Sequence, residues 1–570
     1  MTHLYYPAFY SRGDYRDEDK AQYPALTLKE LELLDLIGAV REKPQWARKV
    51  LDPTISAKWC TELADQSGAC KQDLDYVFAE LNWQALHQPL AAGPDNVAGI
   101  DDALAEDRRL RLMELVRTGL ERGVEKDWHP RAKNQVLDLV HPSLFPLKYE
   151  HTRVVEETLA AQSVPESVAR VGLDIGDTHY PSGDGYASTQ FQWLPAEIAV
   201  SEDGTSAEWI SYINNLHPET HAELYSVLAE LFVACVPLLE MVLARITDPV
   251  QSRIHASAEI WYKCKEDPNK PNDPSDAPEK YTSIYEDESS DDDENDENEE
   301  GEEEEEDAYD RYRGKYAFHP YAPISFDPAV FELSATPNPE FALKGRQCQV
   351  ITKLANIHLT PEDPEYAGGS WHIEGMENEQ IVATALYYYD MDNVTESKLA
   401  FRARVRAPEY QQSDFFGIES IYGLNGGVGI LAQPRGHITA RAGRAVAFPN
   451  LYHHQVQRFR LADPTRPGHR KIVAFFLIDP ELRIPSSARV APQRADWLAH
   501  AVLRGPRDKE RIVESTLPVE VVQRILLLTP HMMTMAEAKK DRLVLMDERT
   551  AMVEEVNTPD FLGAFNMCEH

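Results

Sequence analysis

The chain is short of positive charge. It carries 57 lysines and arginines against 95 aspartates and glutamates, a formal net charge of −38 over 570 residues. Binding to nucleic acid draws on clustered lysine and arginine to neutralise phosphates. No such basic patch stands out, so no nucleic-acid partner is expected. Eighteen acidic residues and no basic one lie between 286 and 310, and the rest of the chain is still at −20. Cysteine is scarce too. The six (Cys60, Cys70, Cys235, Cys264, Cys348, Cys568) are scattered without a CxxC pair. That argues against a zinc cluster or disulfide framework and for a reducing compartment. The cytoplasm is the expected location, with the nucleus left open.

Long apolar runs are missing as well. The most apolar window, Leu231 to Ile246, is broken by Glu240 and Arg245 and falls short of the roughly 20 residues that span a bilayer. It reads as a buried helix, and no membrane association is expected. Met1 to Pro7 shows no basic stretch followed by an apolar one, so no signal peptide is expected. There is no HExxH, no GxGxxG, no phosphate-binding GxxxxGK loop and no GxSxG elbow.

What is present is ample for a packed core, with 43% of residues apolar. The length exceeds the roughly 250–300 residues that one core usually serves, so two or three units are expected. Residues 1–264 read as mainly helical. Leu26 to Val40, Ala103 to Arg122 and His221 to Ile246 repeat apolar residues at three- and four-residue spacing. Thr27 followed by Glu30 suggests a capping box. Asp203-Gly204 between two β-rich runs predicts a hairpin near 190–213. Residues 172–185 read as a loop, and 265–310 as a disordered acidic insertion, because like charges repel and bury little.

From 311 to 490 the texture changes to about eight short strands punctuated by glycine and proline. This predicts a double-stranded β-helix, a jelly-roll or cupin-like core. Residues 491–570 read as a helical extension, with Thr529-Pro530 as a break. The class is therefore α+β.

Within the strand-rich part lies Trp371-His372-Ile373-Glu374-Gly375. Two residues apart on a strand, His372 and Glu374 share a face. A later histidine, His453 or His454, would complete a two-histidine, one-carboxylate set. Such a set leaves coordination positions open and suits non-haem Fe(II) oxygenases. Arg470, at the start of an apolar strand, could grip a co-substrate carboxylate with both arms of its guanidinium. Lys471 faces the other way and reads as a surface residue. Among other candidates, Asn214-Asn215 reads as a structural turn. Tyr387 to Tyr389 could offer one ring to a pocket, and Arg402 could bring a cation to it or lie at the surface.

At these residues the chain resembles a fungal family of large proteins carrying a domain of unknown function, related to 2-oxoglutarate- and Fe(II)-dependent oxygenases. The resemblance covers nearly the whole length. It rests on Phe191-Gln192-Trp193-Leu194-Pro195, Ser211 to Pro218, Trp371 to Gly375, Phe448-Pro449-Asn450 leading to His454, Pro467 to Ile472, and Leu477-Ile478-Asp479-Pro480. It implies that His372, Glu374 and His454 hold Fe(II), with His454 favoured over His453. It also implies that Arg470 holds the distal carboxylate of 2-oxoglutarate. Glu374 stands where the superfamily more often has aspartate. Ile472 stands where a serine or threonine would assist Arg470, so a second carboxylate contact, such as a tyrosine, is needed from elsewhere.

The implied activity is an O2-consuming dioxygenase that hydroxylates a C–H bond of a small molecule, with desaturation or ring formation as variants. The competing reading is a catalytically idle jelly-roll scaffold whose acidic tract binds basic partners. A third is a metal enzyme without 2-oxoglutarate. Neither the substrate nor the oligomeric state is legible in the sequence.

Overall fold

The computed structural model describes residues 23–123, 125–155, 186–254, 262–264, 316–318, 326–331, 342–410, 415–424, 429–498, 518, 520, 521, 524 and 532–565. The acidic insertion, the 172–185 segment and Thr529-Pro530 lie outside these residues.

Eleven strands place the site. They are β1 (Ala98–Ile100), β2 (Val136–Val140), β3 (Ala196–Val200), β4 (Ala207–Trp209), β5 (Gln347–Leu359), β6 (Ile381–Asp392), β7 (Lys398–Arg404), β8 (Ala432–Thr439), β9 (Ala445–Pro449), β10 (Tyr452–Val456) and β11 (Gly468–Ile478). The large sheet runs β1-β9-β6-β11-β5-β3-β4, with β2 also on β5. A small sheet runs β8-β7-β10. Their pairings are antiparallel.

Period-two alternation gives the large sheet two apolar faces, as a central layer requires. The inner face bears Ile351, Leu386, Tyr388, Phe448, Ala474 and Phe476, packed against Leu399, Phe401, Ala403 and Tyr452 of the small sheet. The outer face bears Leu354, Tyr387, Tyr389, Val473 and Phe475, packed against the helix Ala222–Thr247. Burying each such large apolar side chain contributes about 1.5–3 kcal/mol. Phe232 meets Phe475 edge-on at 5.5 Å between ring centroids. This helix is the one apolar enough, among the described residues, to cross a membrane by length and composition, and it is mostly buried in the core.

The predicted hairpin is present as β3 and β4, with Gly204 at φ +71°, although Phe191–Gln192 pairs elsewhere, with Leu147–Lys148. The first helix, α1 (Leu28–Arg41), is capped by the Thr27 hydroxyl, which accepts the Glu30 N–H at 3.1 Å. The other half of the expected capping box is missing. The buried Glu30 carboxylate instead accepts backbone N–H groups of Arg253 and Ile254 at 2.8 and 3.3 Å. Ala103 to Arg122 shortens to a helix over Glu106–Val116 and a π turn over Arg117–Glu121.

The N-terminal half is also less purely helical than its periodicity predicts, because β2 joins the main sheet. Pro434-Arg435-Gly436 reads as a turn but lies inside β8, where a bulge opposite Phe401 and Arg402 absorbs it. A second helix needed here, α2 (Met535–Glu555), starts at a full capping box of Thr534 and Glu537. Its Leu545 enters the layer between the sheets.

Candidate metal centre

The sequence pattern predicts a strand over Trp371 to Gly375, but the structure gives it a single bridge. His372 exchanges both backbone hydrogen bonds with His454, at 3.2 and 2.9 Å. Glu374 sits in the bend that follows. Gly375 turns the chain there at φ +75°, where any other residue would be strained and its Cβ would come within 2.7 Å of Ile381 Cδ1.

Three side chains converge. His454 Nε2 lies 3.3 Å from Glu374 Oε1, and His372 Nε2 lies 3.7 Å from the same oxygen. The two rings are 4.3 Å apart. One ligand atom from each residue falls within 4.8 Å of the other two. His372 Nδ1–H donates to Ser370 O at 2.9 Å, and His454 Nδ1 faces Tyr452 O at 3.5 Å. Backbone carbonyls behind both rings therefore leave Nε2 as the lone-pair atom aimed inward, the orientation that metal-ligating imidazoles usually have.

Burial disfavours a charged Glu374, yet hydrogen bonds and charge from both imidazoles hold its carboxyl well below the usual range. Burial also opposes protonation of His372, but Glu374 outweighs it and leaves the pKa raised. His454 is pushed down, by burial first and then by His372.

His453 faces the other way, as alternation requires. It packs on the Phe561 ring and lies 3.5 Å from Arg402 Nη2. Burial pushes its pKa down to about 3. Arg402 stacks over Trp371 at 4.9 Å on this outer side and bonds Asn557, away from the three converging groups.

Arg470 lies in β11, two residues inside its start rather than at it, opposite Ile357 and Met391. It is on the inner face and 3% exposed. Its guanidinium lies 4.9 Å over the Tyr388 ring and donates to Tyr388 Oη at 3.3 Å, while Nε has no partner among the described residues. Tyr366 is also within its field, and burial raises that phenol's pKa. Lys471 points outward to Glu121 and Asp390 at 3.2 and 3.4 Å. Asn214 and Asn215 are structural, donating to carbonyls of His141, Leu144 and Phe145.

A second cluster, His129, Asp138 and His141, also brings one ligand atom from each residue within 4.8 Å of the other two. Its hydrogen bonds argue for a different role. His141 Nδ1 accepts the Ser143 N–H at 3.2 Å, which puts the ring proton on Nε2, the atom nearest Asp138. His129 spends Nδ1 on Asp138 at 2.8 Å, and Arg542 stands 3.7 Å from the same carboxylate oxygen. This is a buried ion-pair network.

Sequence reasoning missed two residues, one at the first centre and one on the inner face of the large sheet. Asn450 appears only as part of a motif, although it clamps Glu374. Lys353 is a lone cation at an inward position of an apolar strand, and that alternation is the signal that could have found it.

Family profiles match residues 71–501 and, for an N-terminal domain, residues 2–62, both described as of unknown function. The chain belongs to the DUF4246 family. No curated protein matches this DUF4246 member. Among solved structures it is similar to the Fe(II)/α-ketoglutarate-dependent dioxygenase TqaL, at 10% identity and a TM-score of 0.22, over 67% of this chain and 93% of that one. It is also similar to IDO from Bacillus thuringiensis, at 12% identity and a TM-score of 0.14, over 25% of this chain and 52% of that one. A bsmA homologue from Methylobium petroleophilum PM1 aligns at 11% identity and a TM-score of 0.14, over 27% and 55% of the two chains. The chain thus spans about half the length of the last two.

Proposed function

We propose that this DUF4246 protein is a non-haem Fe(II)- and 2-oxoglutarate-dependent oxygenase that hydroxylates a C–H bond of a small molecule. One observation carries the reading. Two imidazole Nε2 atoms and a carboxylate oxygen converge between the same two sheets as a buried arginine whose Nε lacks a partner among the described residues. Strand order supports a jelly-roll core. Along the chain β5, β6, β9 and β11 fall in the large sheet, while the His372 segment, β7, β8 and β10 pair in the small one, the alternation that a double-stranded β-helix needs.

The donor set fits the metal. Two nitrogens and one oxygen, all from neutral imidazoles and a carboxylate, suit Fe(II) and leave positions open for a co-substrate and O2. His372, Glu374 and His454 would hold it. When bound, iron would supply O2 activation coupled to oxidative decarboxylation of 2-oxoglutarate to succinate and CO2.

The chain's own groups do the rest. Arg470 grips the distal carboxylate through its fork, with Tyr388 holding the guanidinium in place. Tyr366, kept neutral by burial, offers the hydroxyl that Ile472 does not. Phe401 and Phe448 exclude water from the layer below, with the Phe448 ring 4.8 Å from that of His454. The test is Fe(II) retention together with succinate release from 2-oxoglutarate under air. Wild type should show both, and His372→Ala should lose both. A wild-type protein that retains no iron and releases no succinate would sink the proposal.

A further inference from the structure

The inner face of the large sheet carries a second cation that the oxygenase reading does not use. Lys353 pairs with Ala474 in the β5–β11 register, flanked by Ile351 opposite Phe476 and Ala355 opposite Ile472. Ile351, Ala474 and Phe476 belong to the layer between the sheets, and paired residues share a face. Lys353 therefore points to the side of the large sheet that faces the small one, where it is half-buried. Its charge reaches His372, Asp138 and His141.

No hydrogen bond or ion pair engages its ammonium among the described residues. The neighbouring acids are already committed. Asp138 is bonded to His129, with Arg542 beside it. Asp127 takes both arms of Arg542 and lies 3.3 Å from Lys539. Asp127 and Asp138 thus face Arg542 and Lys539, and neither forms an ion pair with Lys353.

An ammonium with no partner among the described residues, half-buried on a face lined by apolar side chains, is a ready place for an anion. It is all the more telling in a chain with 95 acidic residues against 57 basic ones. Lys353 and Arg470 are separated by four positions and one strand, roughly 14 Å at Cα from strand rise and spacing. Their fields are separate as well: Tyr366 feels Arg470, whereas the His129–Asp138–His141 end feels Lys353. Two cations at two ends, with the triad within reach, fit two different anions.

We propose that Lys353 anchors a carboxylate of the primary substrate, which is therefore a small organic acid held between Lys353 and the metal centre. This rests on the oxygenase reading above. The ammonium would set which end of the acid enters and so which carbon faces the metal, and Lys353 is a specificity-determining residue.

The test uses full-length protein with Mn(II) and 2-oxoglutarate under nitrogen. Thermal stabilisation is measured against a library of metabolite carboxylic acids, each beside its carboxamide. Acids that stabilise wild type should have inactive amides. Their half-saturation should rise at least tenfold in Lys353→Met and in Lys353→Gln. Stabilisation by 2-oxoglutarate alone should survive both changes and be lost in Arg470→Met. Failure of that last control, with wild type unresponsive to 2-oxoglutarate, would overturn the oxygenase reading itself. With the control intact, the Lys353 assignment is overturned by amides as effective as acids, by no acid acting, or by loss of the 2-oxoglutarate response in both Lys353 variants.

Discussion

Asn450 and Glu374 are locked together by a two-way bond. The Glu374 N–H donates to Asn450 Oδ1 at 2.9 Å, and Asn450 Nδ2 returns to Glu374 O at 2.9 Å. The amide imitates a strand neighbour for a residue that has none, and it also donates to Ile381 O at 3.0 Å. The Glu374 backbone is thereby fixed to the end of β9 from 76 residues away.

Asn450→Ala should therefore loosen Glu374 without unfolding the sheet. Removing a partner that orients a metal ligand typically costs about 10–100-fold in metal affinity. Fe(II) or Mn(II) titration followed by equilibrium dialysis would measure it. Affinity within twofold of wild type would mean that the clamp serves stability alone.

The adjacent histidines give a paired control. His454→Ala should abolish metal retention, because its Nε2 is one of the three converging atoms. His453→Ala should leave the metal in place and lower stability by about 1–3 kcal/mol through lost packing on Phe561. Metal content by mass spectrometry and urea unfolding separate the two, and a reversal of the pattern would reassign the ligand.

Arg470→Lys keeps the charge and loses the fork. Half-saturation by 2-oxoglutarate should rise by about one to two decades, the worth of a lost charged hydrogen bond at about 1.5–3 kcal/mol. Metal affinity should barely move, since Arg470 is not among the converging donors. An unchanged half-saturation would remove the co-substrate assignment.

His141 sets a pH dependence of stability away from the metal centre. Burial, against the pull of Asp138, pushes its pKa down to about 3, whereas the unfolded value is about 6.5. Between these limits the unfolded chain binds one more proton than the folded one. Stability should then fall as pH drops from 6.5 toward 3, by up to about 1.4 kcal/mol per unit from this group, and the contribution is constant above 6.5. His141→Asn retains an acceptor for the Ser143 N–H and should flatten that slope by one proton. Urea midpoints across the window would show it, and an unaltered slope would place the titration elsewhere.

The sequence by itself determined what depends on neighbours along the chain. Period two sent His453 and His454 to opposite sides of their strand, whereas Glu374 reaches His372 from a bend and not along a strand. Apolar spacing marked α1 and the buried helix, Thr27 marked a cap, and Asp203-Gly204 marked a hairpin. Each of these is a short-range rule of backbone geometry. Tertiary structure decided what depends on contacts between distant segments. It chose Arg253 and Ile254, rather than Thr27, as partners for Glu30. It brought β2 into a sheet formed two hundred residues later, and it closed Asn450 on Glu374. It also bonded Asp138, whose carboxylate lies in the field of Lys353, to His129 instead. No local pattern encodes these choices, because they are set by which faces can be buried together and which polar groups are then left without water.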